Sequence, residues 1–350
     1  MLGSLNMDIS VTVPSLPGPG ATVLGGAAVF APGGKGANQA VAAARLGGEG
    51  LIVAMIGCTG DDDFGGTLRA ALQAEGVDDS AVRTVDGVRT GIAMITVDQA
   101  GENIITVAPG ANRELSVADI AAVGGGSGTG AEPDRAVADV ADRASAAAAS
   151  SGAKRAASSV LVISAEVPAA VIGAALGASG SRVLTVLNLA PAPPEAVDLV
   201  AAGPDWLVVN ESEAAAVLGR RVSGLDEAAA AAADLVAAGA GNAVVTAGAA
   251  GAAYSGPDAP YGGPEAPVGR AGVVKVRGFA VTAIDTVGAG DTFVGALAVA
   301  LAAGVPPVDA VTAAAAAGAA AAARPGTQSG MPRPADVLSA TGYHWPVAVR

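Results

Sequence analysis

The chain has 350 residues, enough for one large or two small domains with a sizeable core, and 32 acidic against 19 basic residues give it a net charge of −13. That balance argues against a nucleic-acid or anionic-membrane surface. A single Cys58 and a single His344 argue against disulfides, thiolate clusters, zinc sites and Ser-His-Asp catalysis, which leaves acid–base work to carboxylates and lysines.

In chain order, the N-terminus carries neither a basic region nor an apolar stretch of signal length, and no segment reads as a membrane span, so a cytoplasmic protein is expected. Little chain precedes Asn6 to make a first strand, and a few residues ahead of Met1 are expected to be missing. Residues 9–13, 22–30, 90–97 and 103–107 alternate as strands that follow one another without helices, which predicts a small separate sheet, a lid within about 8–32 and 88–108. Elsewhere strands at 51–56, 160–164, 183–187, 206–209 and 243–246 alternate with Ala-rich amphipathic helices at 37–46, 64–75, 168–176, 211–218 and 225–238. That order predicts an α/β domain, a mostly parallel sheet covered by helices on both faces, with the lid inserted into it. The stretch 123–157, which holds Gly-Gly-Gly-Ser-Gly-Thr-Gly at 124–130, reads as a low-complexity insertion, and 256–270 as a Pro/Gly-rich surface excursion.

The densest chemical signal is Asp285-Thr286-Val287-Gly288-Ala289-Gly290-Asp291-Thr292-Phe293. A small-residue turn exposes backbone N–H groups, the apolar run behind it supplies a helix whose N-terminal end favours negative charge, and Asp291 is placed to take a proton from an attacking alcohol. Taken alone, Asp291 could equally be an N-cap. Gly33-Gly34-Lys35-Gly36-Ala37-Asn38-Gln39 lacks the Walker A order; its glycines allow close approach of a ligand, and Lys35 and Asn38 can donate to hydroxyls, although a plain turn and helix start also satisfies the pattern.

Polar residues recur at the ends of predicted strands, where open α/β sheets bind ligands. Asn6 and Asp8 could grip vicinal hydroxyls or form an Asx-turn. Glu166 could bind a ligand or cap a helix, and Glu211 and Glu213 after Asn210 could merely complement a helix N-terminus. The turn Thr246-Ala247-Gly248-Ala249-Ala250-Gly251 could wrap a nucleotide or simply join two strands.

Together these motifs, with Gly3-Ser4-Leu5-Asn6-Met7-Asp8, Cys58-Thr59-Gly60-Asp61-Asp62, Gly101-Glu102-Asn103, Gly110-Ala111-Asn112, Asn188-Leu189-Ala190-Pro191-Ala192 and Asn210-Glu211-Ser212-Glu213-Ala214, resemble the ribokinase branch of the PfkB carbohydrate kinase family. The resemblance covers the chain except about 123–157 and 256–270. It implies a doubly wound ribokinase-like α/β domain with a β-sheet lid, pairing through the lid into a homodimer, and transfer of the ATP γ-phosphate to the 5-hydroxyl of D-ribose. Asn6, Asp8, Gly34, Lys35, Gly36, Ala37, Asn38 and Glu166 would hold the sugar, Asp291 would be the base, and the amides of Gly288, Ala289 and Gly290 the anion hole. Asn210, Thr246–Gly251, Gly290, Asp291 and Ala315 would meet ATP, with Glu213 in the Mg2+ shell. An activating K+ would sit among Asp285, Val287, Ala321, Arg324, Gly326 and Gly330. Two positions depart from the pattern: Gly330, preceded by Ser329, stands where the family often has a hydroxyl residue, and Ala315 where relatives often carry a larger polar one. The alternatives are another sugar or nucleoside kinase of the family, or a catalytically silent sugar- or nucleotide-binding protein on the same fold.

Overall fold

The computed structural model describes residues 1–122, 159–178, 183–259 and 272–347. The insertion expected at 123–157 lies outside them, as does most of the 256–270 excursion. Among the described residues the strands are β1 (Asn6–Thr12), β2 (Val29–Gly33), β3 (Ala54–Gly60), β4 (Asp78–Val85), β5 (Gly91–Val97), β6 (Asn103–Ala108), β7 (Ser159–Ser164), β8 (Val183–Asn188), β9 (Trp206–Asn210), β10 (Asn242–Thr246), β11 (Gly251–Gly256) and β12 (Gly272–Arg277).

Strands β7 to β10 run parallel in sequence order, and β11 and β12 extend that sheet antiparallel. A parallel pair β3–β4 is joined to it through Leu2, which bridges Ile56 on one side and Ile163 on the other. Backbone bonds from Leu2 N to Val162 O, Gly3 N to Ile56 O and Ile56 N to Met1 O make the first three residues the link between the two groups of strands.

The central strands are apolar on both faces, as a sheet sandwiched between helices requires. Val162, Val186, Val208 and Val244 pack on one side with the helices Lys35–Gly47, Ala289–Ala302 and Pro307–Ala322, while Leu161, Ile163, Leu187, Leu207 and Val245 pack on the other with the helices Ala169–Ala178 and Gly224–Ala237. This is the period-two alternation of a strand turned into two cores. The alanine content serves close helix packing: a Cβ on Gly295 would lie 2.7 Å from Gln39 O and 2.8 Å from Ala42 Cβ, so the helices Ala289–Ala302 and Lys35–Gly47 meet almost backbone to backbone.

The second sheet has the order β2-β1-β5-β6, with β1 parallel to β5 and the other pairs antiparallel. Two expected strands are corrected. Residues 22–28 are not in a strand, because β2 pairs with β1 only from Val29 to Gly33 and Gly25-Gly26 precede that ladder. The strand expected at 51–56 is β3, three residues later: Leu51 N is taken by Gly48 O in a turn, and the ladder with β4 runs on to Gly60. Apolarity marks what is buried; ladder partners decide where a strand starts. Among the described residues no helix is long and apolar enough to cross a membrane.

Candidate active site

Gly288 caps the helix Ala289–Ala302 with φ 80°, a left-handed conformation that glycine adopts without penalty, and Asp291 falls in the first turn, three residues inside. Asp291 is therefore not the N-cap. Its carboxylate is 8% exposed and accepts from Asn38 Nδ2 at 2.9 Å and from Gln39 Nε2 at 3.1 Å. It opens onto a cleft of about 230 Å³ that is also lined by Lys35, Asn188, Asn210, Glu213, Thr246, Thr286, Gly288 and Gly290. The amide of Ala289 bonds Thr286 O at 3.3 Å, so of the three N–H groups expected to form the anion hole this one is already engaged. Gly290 faces open space, with nothing within 4 Å of where a Cβ would sit.

Of the residues expected to hold a sugar, Asn38 bonds Asp291, Lys35 and Asp8 feel its charge, and Glu166 accepts from Ser4 and Lys35; Lys35 alone of these lines the cleft. Gly34 has φ 88°, and a Cβ there would lie 2.6 Å from Asn6 N and 2.8 Å from Ser4 O, which presses the Gly33-Gly34 turn against the start of β1. Asn6 and Asp8 occupy β1 itself, where the chain passes from the main sheet into the second one. Gly36 and Ala37 are buried in packing: Ala37 N bonds Ser4 O, and a Cβ on Gly36 would strike Gly3. Glu166 does not cap the next helix; it accepts from Ser4 Oγ at 2.5 Å and from Lys35 N at 3.2 Å.

This patch sets four carboxylates, Asp8, Glu166, Glu213 and Asp291, around one cation. Burial, with Glu166 and Asp291 nearby, pushes the Asp8 carboxyl up to about 7 against the opposing pull of Lys35. Asp291 foremost, then Glu166, Glu213 and Asp8, hold the Lys35 ammonium above its ordinary range despite its burial. Burial likewise raises Glu213, helped by Asp291 and opposed by the Asn210 N–H and by Lys35. Cys58 is fully buried and burial pushes its thiol up to about 11, which removes it as a nucleophile.

In the same cleft, Asn210 and Glu213 form a reciprocal capping box on the helix Glu211–Leu218, with bonds of 2.9 and 2.8 Å. Both also line the cleft, so the capping and ligand-facing readings hold together. Of the 246–251 turn only Thr246 lines the cleft. Ala247 N bonds Gly251 O, Gly278 N bonds Ala250 O, and a Cβ on Gly251 would lie 2.1 Å from Val276 O, so Gly251 serves the packing of the turn, while Gly248 and Ala249 sit at its outer edge. Ala315 is half-buried against the core.

The sequence profile of the pfkB family carbohydrate kinases matches residues 1–334. The chain belongs to that family. It is 33% identical to the ribokinase of Schizosaccharomyces pombe over 338 residues, covering 95% of this chain and 94% of the relative. It is 34% identical to the ribokinase of Haemophilus influenzae over 305 residues, covering 86% and 84%. The crystal structure of ribokinase from Thermotoga maritima superposes with a TM-score of 0.74 at 27% identity, covering 97% of each chain.

In this carbohydrate kinase the loop expected to hold a monovalent cation is tied down by Asp285, whose two carboxylate oxygens accept from Val287 N at 3.0 Å and Gly326 N at 2.9 Å. The carbonyl oxygens of Pro325 and Arg324 lie 3.1 and 3.3 Å from where a Cβ on Gly330 would sit, so a larger side chain at this position would crowd the backbone of the loop. The carbonyl of Ala321 accepts from Arg324 N, and the Arg324 side chain pairs with Asp336 at 2.6 Å. Among the described residues no group of three or more His, Cys, Asp or Glu is placed to hold a metal ion.

Several residues that the sequence did not mark as functional are central. Asn112 donates to Asn6 Oδ1 at 2.8 Å and to Leu5 O, and accepts from Leu5 N, which orients Asn6. Ser4 holds Glu166, Gln328 donates to Asn38 Oδ1 at 3.0 Å, and Gln39 and Asn188 stand behind Asp291. Their signal was present as polar residues in runs of small and apolar ones, but their partners lie 106 to 290 residues away.

Proposed function

We propose that this protein transfers the γ-phosphoryl group of ATP to the 5-hydroxyl of D-ribose, giving D-ribose 5-phosphate and ADP. The observation that carries the reading is the buried Asp291 carboxylate, gripped by two side-chain amides at the N-terminus of a buried helix and open to the cleft. Ribokinases among the similar proteins support the choice of acceptor. Asp291 takes the hydroxyl proton as the sugar oxygen bonds to phosphorus and the ADP oxygen leaves, and the amides of Gly288 and Gly290 face the charge that develops. Asn6, Asp8, Gly34, Lys35, Asn38 and Glu166 hold the sugar hydroxyls, and the wall from Asn210 to Thr246 faces the nucleotide. Ala315, half-buried, is offered as an apolar contact to the base.

Mg2+ arriving on ATP would neutralise phosphate charge, with Glu213, which lines the cleft, in its outer shell. A K+ ion would sit on the carbonyl loop around Asp285, Val287 and Gly326, and bound there it would brace the turn that carries the Gly288 and Gly290 amides. The second sheet acts as a lid, and the exposed apolar residues that the strand register sets on one of its faces, Val29, Ile105 and Val107, pair with those of a second copy to give a homodimer in the cytoplasm.

The test is ADP release from Mg-ATP with D-ribose, run in matched potassium and sodium buffers against 2-deoxyribose, fructose and adenosine. Ribose-dependent release that Asp291→Asn lowers by about 10²–10⁴-fold, with ribose affinity kept, is expected. Release with another acceptor would move the substrate, and ribose binding without release would favour a silent binder.

A further inference from the structure

We infer that Gln39 is a positioning residue for the catalytic carboxylate, held in its working orientation by Asn188; the assignment rests on Asp291 being the base. The two side chains come from different elements, Gln39 from the helix Lys35–Gly47 and Asn188 from the end of β8, and both are buried. Their order begins at a backbone group. Val208 O in β9 accepts from Asn188 Nδ2 at 3.2 Å, and because a carbonyl can only accept, the Asn188 amide turns its nitrogen to β9 and its Oδ1 towards Gln39. Gln39 is then faced by two acceptors, Asn188 Oδ1 at 2.9 Å and Asp291 Oδ1 at 3.1 Å. Its Nε2 has two hydrogens and serves both.

The opposite side of the same amide makes the case. Gln39 Oε1 is buried and has no hydrogen-bond partner among the described residues. A glutamine whose task was only to satisfy the core would turn its oxygen to a donor; here the oxygen is left bare while the nitrogen stays on the carboxylate. Flipping the amide would set Oε1 against two acceptors at once. With Asn38 on Oδ2 and Gln39 on Oδ1, the plane of the Asp291 carboxylate is determined from both sides, and its remaining lone pairs are directed by the fold. Gly295 makes this reach possible by letting the two helices meet. Gln39 does not line the cleft, so it acts through Asp291 and not on the ligand.

The deciding substitution is Gln39→Met, which keeps the volume and removes the donors; Gln39→Leu is the second choice if Met does not fold. With Mg-ATP and D-ribose, kcat should fall about 10- to 100-fold while KM for both substrates stays within about twofold, and adding Gln39→Met to Asp291→Asn should cost nothing further. An unchanged kcat, a raised KM at constant kcat, or a double variant slower than Asp291→Asn would overturn the assignment. A second readout needs no turnover: in proton–nitrogen spectra of the unliganded protein the Gln39 side-chain amide protons should be protected from solvent exchange, and Asn188→Ala should remove that protection. Unprotected protons in the wild type would sink the orientation argument even in an active kinase, whereas an inactive wild type with protected protons would count against the kinase reading alone.

Discussion

Asp8 offers a measurement in which stability and sugar binding oppose each other. Its carboxyl is half-buried in β1, lies within the field of Glu166 and Asp291, and is raised from an ordinary 3.8 to about 7. Between those values the native state keeps a proton that the unfolded chain has released. The native state then binds more protons, so unfolding free energy falls as pH rises from about 4 to about 7 and levels off above that. At about 1.4 kcal/mol per pH unit the interval is worth at most about 4 kcal/mol, and partial solvent access to the carboxyl brings the expected figure to roughly 2–4 kcal/mol. Asp8→Asn has nothing to titrate in that window. It should match the wild type in urea unfolding near pH 4, exceed it by roughly 2–4 kcal/mol at pH 8, and bind D-ribose more weakly. A stability gap of equal size at both pH values, or a wild type that is the more stable protein at pH 8, would refute the argument, because either result would mean that the Asp8 carboxylate is not penalised by its surroundings.

Gly34→Ala should destabilise the protein by more than about 2 kcal/mol and weaken ribose binding in calorimetry, because φ 88° and backbone atoms 2.6–2.9 Å from the new Cβ leave nothing soft to move. Asp285→Ala removes the acceptor of the Val287 and Gly326 amides, and turnover in potassium should drop to the sodium rate; a preserved potassium-to-sodium ratio would place the cation elsewhere. Ile105→Lys puts a charge in the exposed apolar face of the second sheet, 50% exposed as it stands, and should convert a dimer to a monomer in light scattering, with no change in mass counting against that face as the interface.

Much of the architecture was legible because it depends on neighbours in sequence. The continuous apolar runs at 160–164 and 206–209 mark strands buried on two faces, and the Gly-Ala-Gly turn before Thr292 marks a helix start that can receive an anion, since both follow from side-chain character and backbone conformation over a few residues. Residues 22–28 and 51–53 misled the same reasoning because a ladder needs a partner, and partner register is a property of the assembled sheet. The absence of histidine and cysteine pairs, the carboxylate behind the turn and the order of the motifs were likewise set by the chain itself.

The fold alone decided what those groups do. Asn38 and Gln39 reach Asp291 across 253 and 252 residues, Ser4 reaches Glu166 across 162, and nothing in the local sequence of either partner announces the other. Asp291 could be read as a cap until the structure placed Gly288 there, and Asp8 could be read as a turn residue until burial beside two other carboxylates raised it. A propensity is felt over a few residues. Hydrogen-bond partners, desolvation and the charge a group carries depend on which distant atoms the packed sheet and helices bring within a few ångströms.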